Sequence, residues 1–235
     1  MPSPRVRRCL SLAVLLPAMF AHGAEPASPP AHYEIDPVHT RVQFALDHAG
    51  YSRAIGTVSG STGTITFAPG DWTVAKVDVT VPLARLDLGD DDWNEAALDI
   101  LDAGDHPTAR FVSTRIEPIS PWAAHVCGDL TLHGTTREAC LDVVFNQVAR
   151  YPLPPFHRVA GFSASGHLQR SDFGVDDWSS LIGDTVEIRI EAEAKYAGRA
   201  GASGECRGRS PACATATAGG PSARRCTGRS RCWCW

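Results

Sequence analysis

The sequence predicts an all-β domain of seven or eight antiparallel strands, closed into a barrel or packed as a sandwich, with one short covering helix. Three observations lead there. Short segments in which large apolar and polar side chains alternate fill residues 33–196, the period of a strand with one buried face. A single segment among them carries a helical period. No strand is blunted as an exposed edge would be, which favours closure, while Glu and Lys on the last strand leave an open sheet as the alternative.

At the N-terminus, Arg5, Arg7 and Arg8 precede an apolar stretch, residues 9–20, too short to span a bilayer, and Ala21-His22-Gly23 offers the small residues that signal peptidase needs. Residues 1–23 read as a secretory signal cleaved after Gly23, with an uncleaved, membrane-anchored N-terminus as the alternative. Residues 24–32 form a short polar tether. The first strand carries Val42, Phe44 and Leu46 against Arg41, Gln43 and Asp47. Ile65 and Phe67 continue the pattern after GTVSGSTG, where the glycines permit a bulge or a sharp bend. Val77, Val79, Val81 and Leu83 then oppose Lys76, Asp78, Thr80 and Pro82.

Residues 93–103 carry the helix, with Asp92 as N-cap, Glu95 at N3, an apolar face of Trp93, Ala97, Ile100 and Leu101, and Gly104 as a left-handed stop. The acids Asp90, Asp91 and Asp92 lack the D-x-D-x-D-G spacing of a calcium loop and read as a solvated helix start. Phe111, rather than Val112, points inward on the next strand. A hairpin over residues 122–147 turns at His133-Gly134, with Trp122, Ala124, Val126, Leu130 and Leu132 returning as Ala139, Leu141, Val143 and Phe145. A two-residue turn makes paired numbers sum to 267, so Cys127 faces Cys140 at a non-hydrogen-bonded position, outside the apolar face. A cross-strand disulfide is the expectation; two reduced thiols, or pairing with a tail cysteine, are the alternatives. Phe162, Ala164 and Leu168 mark the penultimate strand, and Val186, Ile188, Ile190, Ala192 and Ala194 the last.

Charge divides the chain. Residues 31–198 carry 12 Lys and Arg against 24 Asp and Glu, a net of −12, whereas residues 199–235 carry seven Arg against Glu205. The acidic domain repels phosphate backbones, so nucleic acid is not an expected partner. Residues 199–235, rich in Gly, Ser, Ala, Arg and Cys without apolar periodicity, read as a disordered tail, and Cys206, Cys213, Cys226, Cys232 and Cys234 form no CxxC pair and have no His among them.

The strings YEIDPVHTRVQFALDHAG, GDLTLHGTTRE, GFSASGHLQRSDFG and GDTVEIRIEAEA, in that order, resemble the YceI-like proteins over nearly all of residues 33–196. The resemblance implies an eight-stranded, lipocalin-like antiparallel barrel of a secreted, periplasmic protein. It also implies a long apolar tunnel holding an isoprenoid lipid, with no cofactor required and no membrane span after signal cleavage; a homodimer is left open. Unlike members with a basic, His-containing stretch before the covering helix, this chain has GDDDWNEAALDILDAG, which disfavours a phosphate head group and favours a neutral quinone or amide.

Alternation alone cannot separate a tunnel from a filled core. The residues assigned to the lining are Val42, Phe44, Leu46, Val79, Val81, Phe111, Val126, Leu141, Val143, Phe145, Phe162 and Ile188. Trp93, Arg170, Asp172, Phe173 and Trp178 frame the mouth, Arg170 needing Asp172 or a ligand head group as partner, or else forming a structural pair with Asp172 that fixes the turn. No catalytic constellation emerges, and His39, His48, His125, His133 and His167 are not spaced as metal ligands. The expected function is a periplasmic lipid carrier; the alternatives are an envelope stress or interaction module with a filled core, and an enzyme acting on an isoprenoid.

Overall fold

The computed structural model describes residues 28–200; the expected signal segment, residues 24–27 of the expected tether and the tail from residue 201 lie outside the described residues. Its strands are β1 (Ala31–Ile35), β2 (Arg41–His48), β3 (Ser52–Ser59), β4 (Thr62–Ala68), β5 (Asp71–Pro82), β6 (Leu86–Asp87), β7 (Thr108–Ser120), β8 (Ala123–Leu132), β9 (Thr135–Arg150), β10 (Arg158–Gln169) and β11 (Thr185–Arg199), with helix α1 (Asp91–Ile100) between β6 and β7. The sheet begins at Ala31 and ends at Arg199, so it takes in the last two residues of the expected tether and extends past residue 196.

The eleven strands build an eight-stranded antiparallel barrel because three staves are interrupted. β1 and β2 lie end to end along β11, β4 and β3 along them in turn, and β5 and β6 along those. The remaining staves are β7, β8, β9, β10 and β11, and pairing of β1 with β11 closes the cylinder. The bend between β3 and β4 falls in the glycine-rich stretch, where Gly60 has φ 78° and a Cβ on Gly63 would run into the Asp78 carbonyl. β5 leaves β7 at the Pro82–Thr108 pair and β6 turns to β3, so β6 and β7 diverge and the connection between them carries α1.

The β8–β9 hairpin has the expected register, from Leu132 opposite Thr135 to Ala123 opposite Val144, and His133 and Gly134 both take positive φ (50° and 69°), as a type I′ turn requires. Cys127 and Cys140 are paired across it with Cα atoms 4.0 Å apart and their sulfurs joined. Trp122 departs from expectation. It precedes the strand, is 61% exposed, and stacks in parallel on Phe145 from outside.

Outward positions carry charge, as in the bidentate pair of Arg110 with Asp78 (3.0 and 2.8 Å) and the pair of Arg53 with Glu187. Inward positions are apolar, and at the end of the barrel formed by β1, β4 and the start of β8 they pack solidly. There Phe67, fully buried, meets Trp72, Phe145 and Phe162 at ring distances of 4.9, 4.8 and 5.3 Å. Truncating such a residue to Ala costs about 3–5 kcal/mol.

One carboxylate is buried nearby. Asp36 accepts from the Val38 amide, the His39 ring (2.8 Å) and the Lys195 ammonium (2.9 Å). Burial pushes its carboxyl up, but the hydrogen bonds from His39, Lys195 and Val38 outweigh that and hold it well below the ordinary carboxylate range.

Candidate functional site

The other half of the barrel is built differently. Of the twelve residues assigned to the lining, Val126, Phe145 and Phe162 belong to the packed end and are 3–6% exposed. They form a floor. Val42, Phe44, Leu46, Val79, Val81, Phe111, Leu141, Val143 and Ile188 point inward and are only partly buried, as are the inward-facing Leu130, Leu132, Leu168 and Ile190, and Val79, Phe111 and Val143 pack against the buried cluster. These inward apolar side chains are less completely covered than those of the floor.

Mid-strand glycines mark where neighbouring strands and their side chains come close. A Cβ on Gly56 would run into Phe44 Cζ and lie 2.7 Å from Phe44 Cε1, one on Gly128 would run into the Val112 carbonyl and lie 2.8 Å from Phe111 Cζ, and one on Gly166 would lie 2.8 Å from both the Cys140 carbonyl and Leu141 Cδ2. Each bulky side chain therefore lies over a bare stretch of the neighbouring strand, against the wall. These glycines were missing from the sequence-derived lining, although Gly inside an alternating strand is itself the signal of a close approach.

Helix α1 caps this half without sealing it. Its N-cap is Asp90, whose carboxylate accepts from the Asp92 and Trp93 amides (both 3.1 Å), rather than Asp92; Asp90 alone has the extended backbone an N-cap needs. Ala97, Leu98, Ile100 and Leu101 turn inward, yet no helix residue is fully buried. Trp93 is 48% exposed and its ring lies tilted against His48 at 5.3 Å. The connection after β10 closes the rim on the same side: His48 bridges Ile182, the Ala49 amide donates to Leu181 (2.6 Å), and the Gly183 amide to Asp47 (2.9 Å).

The mouth residues separate. Trp93 and Trp178 are exposed on the rim, but Arg170 and Phe173 are 7% and 2% exposed and belong to its foundation. The Arg170 guanidinium donates to the carbonyls of Val175 (2.6 Å), Ile182 (3.0 Å) and Gly183 (3.2 Å), so its partner is neither Asp172 nor a ligand. Five donors in a planar fork suit a loop that doubles back and offers several carbonyls at once. Asp172 is exposed; Asp184 fixes the turn, accepting from the Ser171 amide and hydroxyl, which hold its carboxyl below the ordinary range. His133 donates to the Phe173 carbonyl at 3.1 Å, tying the hairpin turn to this loop.

Two groups among the described residues have metal-ligand spacing, and both are committed elsewhere. In one, Cys127 and Cys140 are joined to each other beside Glu138; in the other, Asp36 is held by His39 and Lys195 beside Glu193. Among the described residues, the fully buried polar ones are Asp36, Thr40, Ser61 and Arg170, which do not form a catalytic set.

The family profile described as a YceI-like domain matches residues 33–194. The chain belongs to the YceI-like family. A UPF0312 protein of Pseudomonas putida (strain W619) is 34% identical over 167 residues, 69% of this chain and 85% of the relative. Among solved structures, Burkholderia cenocepacia BcnA superposes with a TM-score of 0.60 at 23% identity, covering 68% of this chain and 98% of that one. A polyisoprenoid binding domain from Saccharophagus degradans superposes with a TM-score of 0.50 at 13% identity, covering 70% and 98%. The YceI-like barrel thus has the fold of these structures. No helix among its described residues is long and apolar enough to cross a membrane.

Proposed function

We propose that this YceI-like protein is a periplasmic binding or carrier protein for a long apolar isoprenoid-type lipid, a quinone or polyprenyl chain, held in the barrel above the aromatic floor. The carrying observation is the change along the barrel from fully buried side chains at Phe67, Phe145 and Phe162 to partly exposed apolar ones at Phe44, Leu141 and Ile188. Membership of the family and the likeness to a polyisoprenoid binding domain support the same reading.

From Phe162 in the floor to Leu168 at the rim is six residues of β10. At about 3.3 Å per residue and a strand tilt of about 40°, the chamber is about 15 Å deep. That is about the hydrocarbon depth of one leaflet. A longer chain therefore folds back inside or leaves its head outside. Asp90, Asp91 and Asp92 at the start of the capping helix favour a neutral head group there. Binding rather than turnover fits an inner wall of Val, Leu, Ile, Phe, Ala and Gly, and secretion fits the N-terminal signal pattern.

Native mass spectrometry with lipid extraction tests the proposal. Protein purified from its native host is expected to carry an isoprenoid, or to take one up from a library of quinones and polyprenols. Neither result being obtained would overturn it.

A further inference from the structure

The domain carries a net charge of −12 between residues 31 and 198, yet from Val143 to Ser171 there is no Asp or Glu. At the centre of that stretch, the connection between β9 and β10 presents Tyr151, Leu153 and Phe156 to solvent, 37%, 62% and 51% exposed. Its shape is built, since the Tyr151 amide donates to His157 (2.7 Å) and the Phe156 amide to Leu153 (2.9 Å).

Arg150 and Arg158 flank this apolar tip directly opposite each other on the ladder, a like-charge pairing that costs stability unless something else uses it. Neither these two nor Arg199 has an ion-pair partner among the described residues. Arg158 lies 5.8 Å over the Tyr196 ring, and a recess of about 510 Å³ opens between Arg150, Phe156, Arg158 and Tyr196. Both ends of the described chain meet beside it, the Ala200 amide donating to Pro30. The sequence beyond Ala200 carries six Arg and one acid.

We propose that this face docks on an anionic phospholipid bilayer, with Leu153 and Phe156 entering the interface and Arg150, Arg158 and Arg199 meeting lipid phosphates. Apolar and aromatic tips framed by arginine match an interface whose outside is negative and whose inside is oily. The acidic helix and the chamber mouth lie at the opposite end of the barrel. The docked protein therefore opens away from the bilayer, and this orientation holds whatever the chamber contains.

Flotation of the chain as secreted, with vesicles of phosphatidylcholine alone or with about a third phosphatidylglycerol, tests this. Binding is expected to rise with phosphatidylglycerol and fall with salt. Arg150→Gln and Arg158→Gln are each expected to weaken it roughly fivefold, and the double variant Leu153→Ala/Phe156→Ala to weaken it on the anionic vesicles as well. A Trp at position 153 is expected to shift its emission to the blue on anionic vesicles. Equal binding to both vesicle types would overturn the proposal. So would loop variants that float like the parent, which would assign any binding to the basic tail, or an unchanged emission from Leu153→Trp.

Discussion

Replacing Gly56 by Ala separates an open chamber from a filled one. The new Cβ would run into Phe44 Cζ and stand 2.7 Å from Phe44 Cε1 and 2.9 Å from Leu88 Cδ2, where carbon atoms pack comfortably at about 3.5–4 Å. Only side-chain atoms obstruct it, so the strand stays and the Phe44 ring swings off the wall by about 1 Å or more. In an open chamber the ring moves into free space, and the gain of about 0.5–1 kcal/mol from replacing a strand glycine nearly offsets the strain. In a filled core, overpacking costs about 1–3 kcal/mol. The displaced ring takes from the interior about the volume of the added methyl, one carbon, or about 0.8 kcal/mol of ligand burial. The expected result is urea unfolding of the lipid-free protein within about 1 kcal/mol of the parent, with affinity for a long-chain quinone lowered about fourfold. Destabilisation beyond about 2 kcal/mol with unchanged quinone uptake would refute the reasoning.

Two further outcomes follow from the polar anchors. Arg170→Met strips three carbonyls of a charged donor; because the loop can open and hydrate them, the expected loss is about 2–4 kcal/mol in urea unfolding, with faster hydrogen exchange at the Ala49 and Gly183 amides that clasp the rim. Asp36→Asn is expected to cost about 2–3 kcal/mol near neutrality. The folded carboxyl lies below its ordinary value, so its contribution is complete above the unfolded pKa of about 4 and is lost as pH falls through the folded one. The stability difference between parent and variant should hold from about pH 5 upward and shrink in stronger acid, as acid-dependent urea titrations would record.

Much of the barrel is readable because strand chemistry is local. The inward phase of Val42, Phe44 and Leu46 follows from their alternation with Arg41, Gln43 and Asp47, and a single turn at His133-Gly134 is enough to set Cys127 opposite Cys140. Helix α1 is legible in place but not in its cap, since Asp90, Asp91 and Asp92 are equivalent until the backbone singles out the extended residue. Arg170 shows where pattern reading ends. Its burial follows from its phase on the strand, but its partners are backbone carbonyls, which every residue possesses and no side-chain pattern reveals.

The sequence by itself determined an antiparallel sheet with an apolar inner face, the register that sets Cys127 opposite Cys140, and membership of the YceI-like family. Only the tertiary structure decided that the inner face is fully buried around Phe67 and only partly buried around Phe44, and that Arg170 braces the rim instead of pairing with Asp172. The physical reason is that alternation reports which way a side chain points, whereas filling depends on which side chains meet from staves far apart in the chain. Phe67, Phe145 and Phe162 converge at one height, while Phe44 and Leu141 lie over glycines on their neighbours at another.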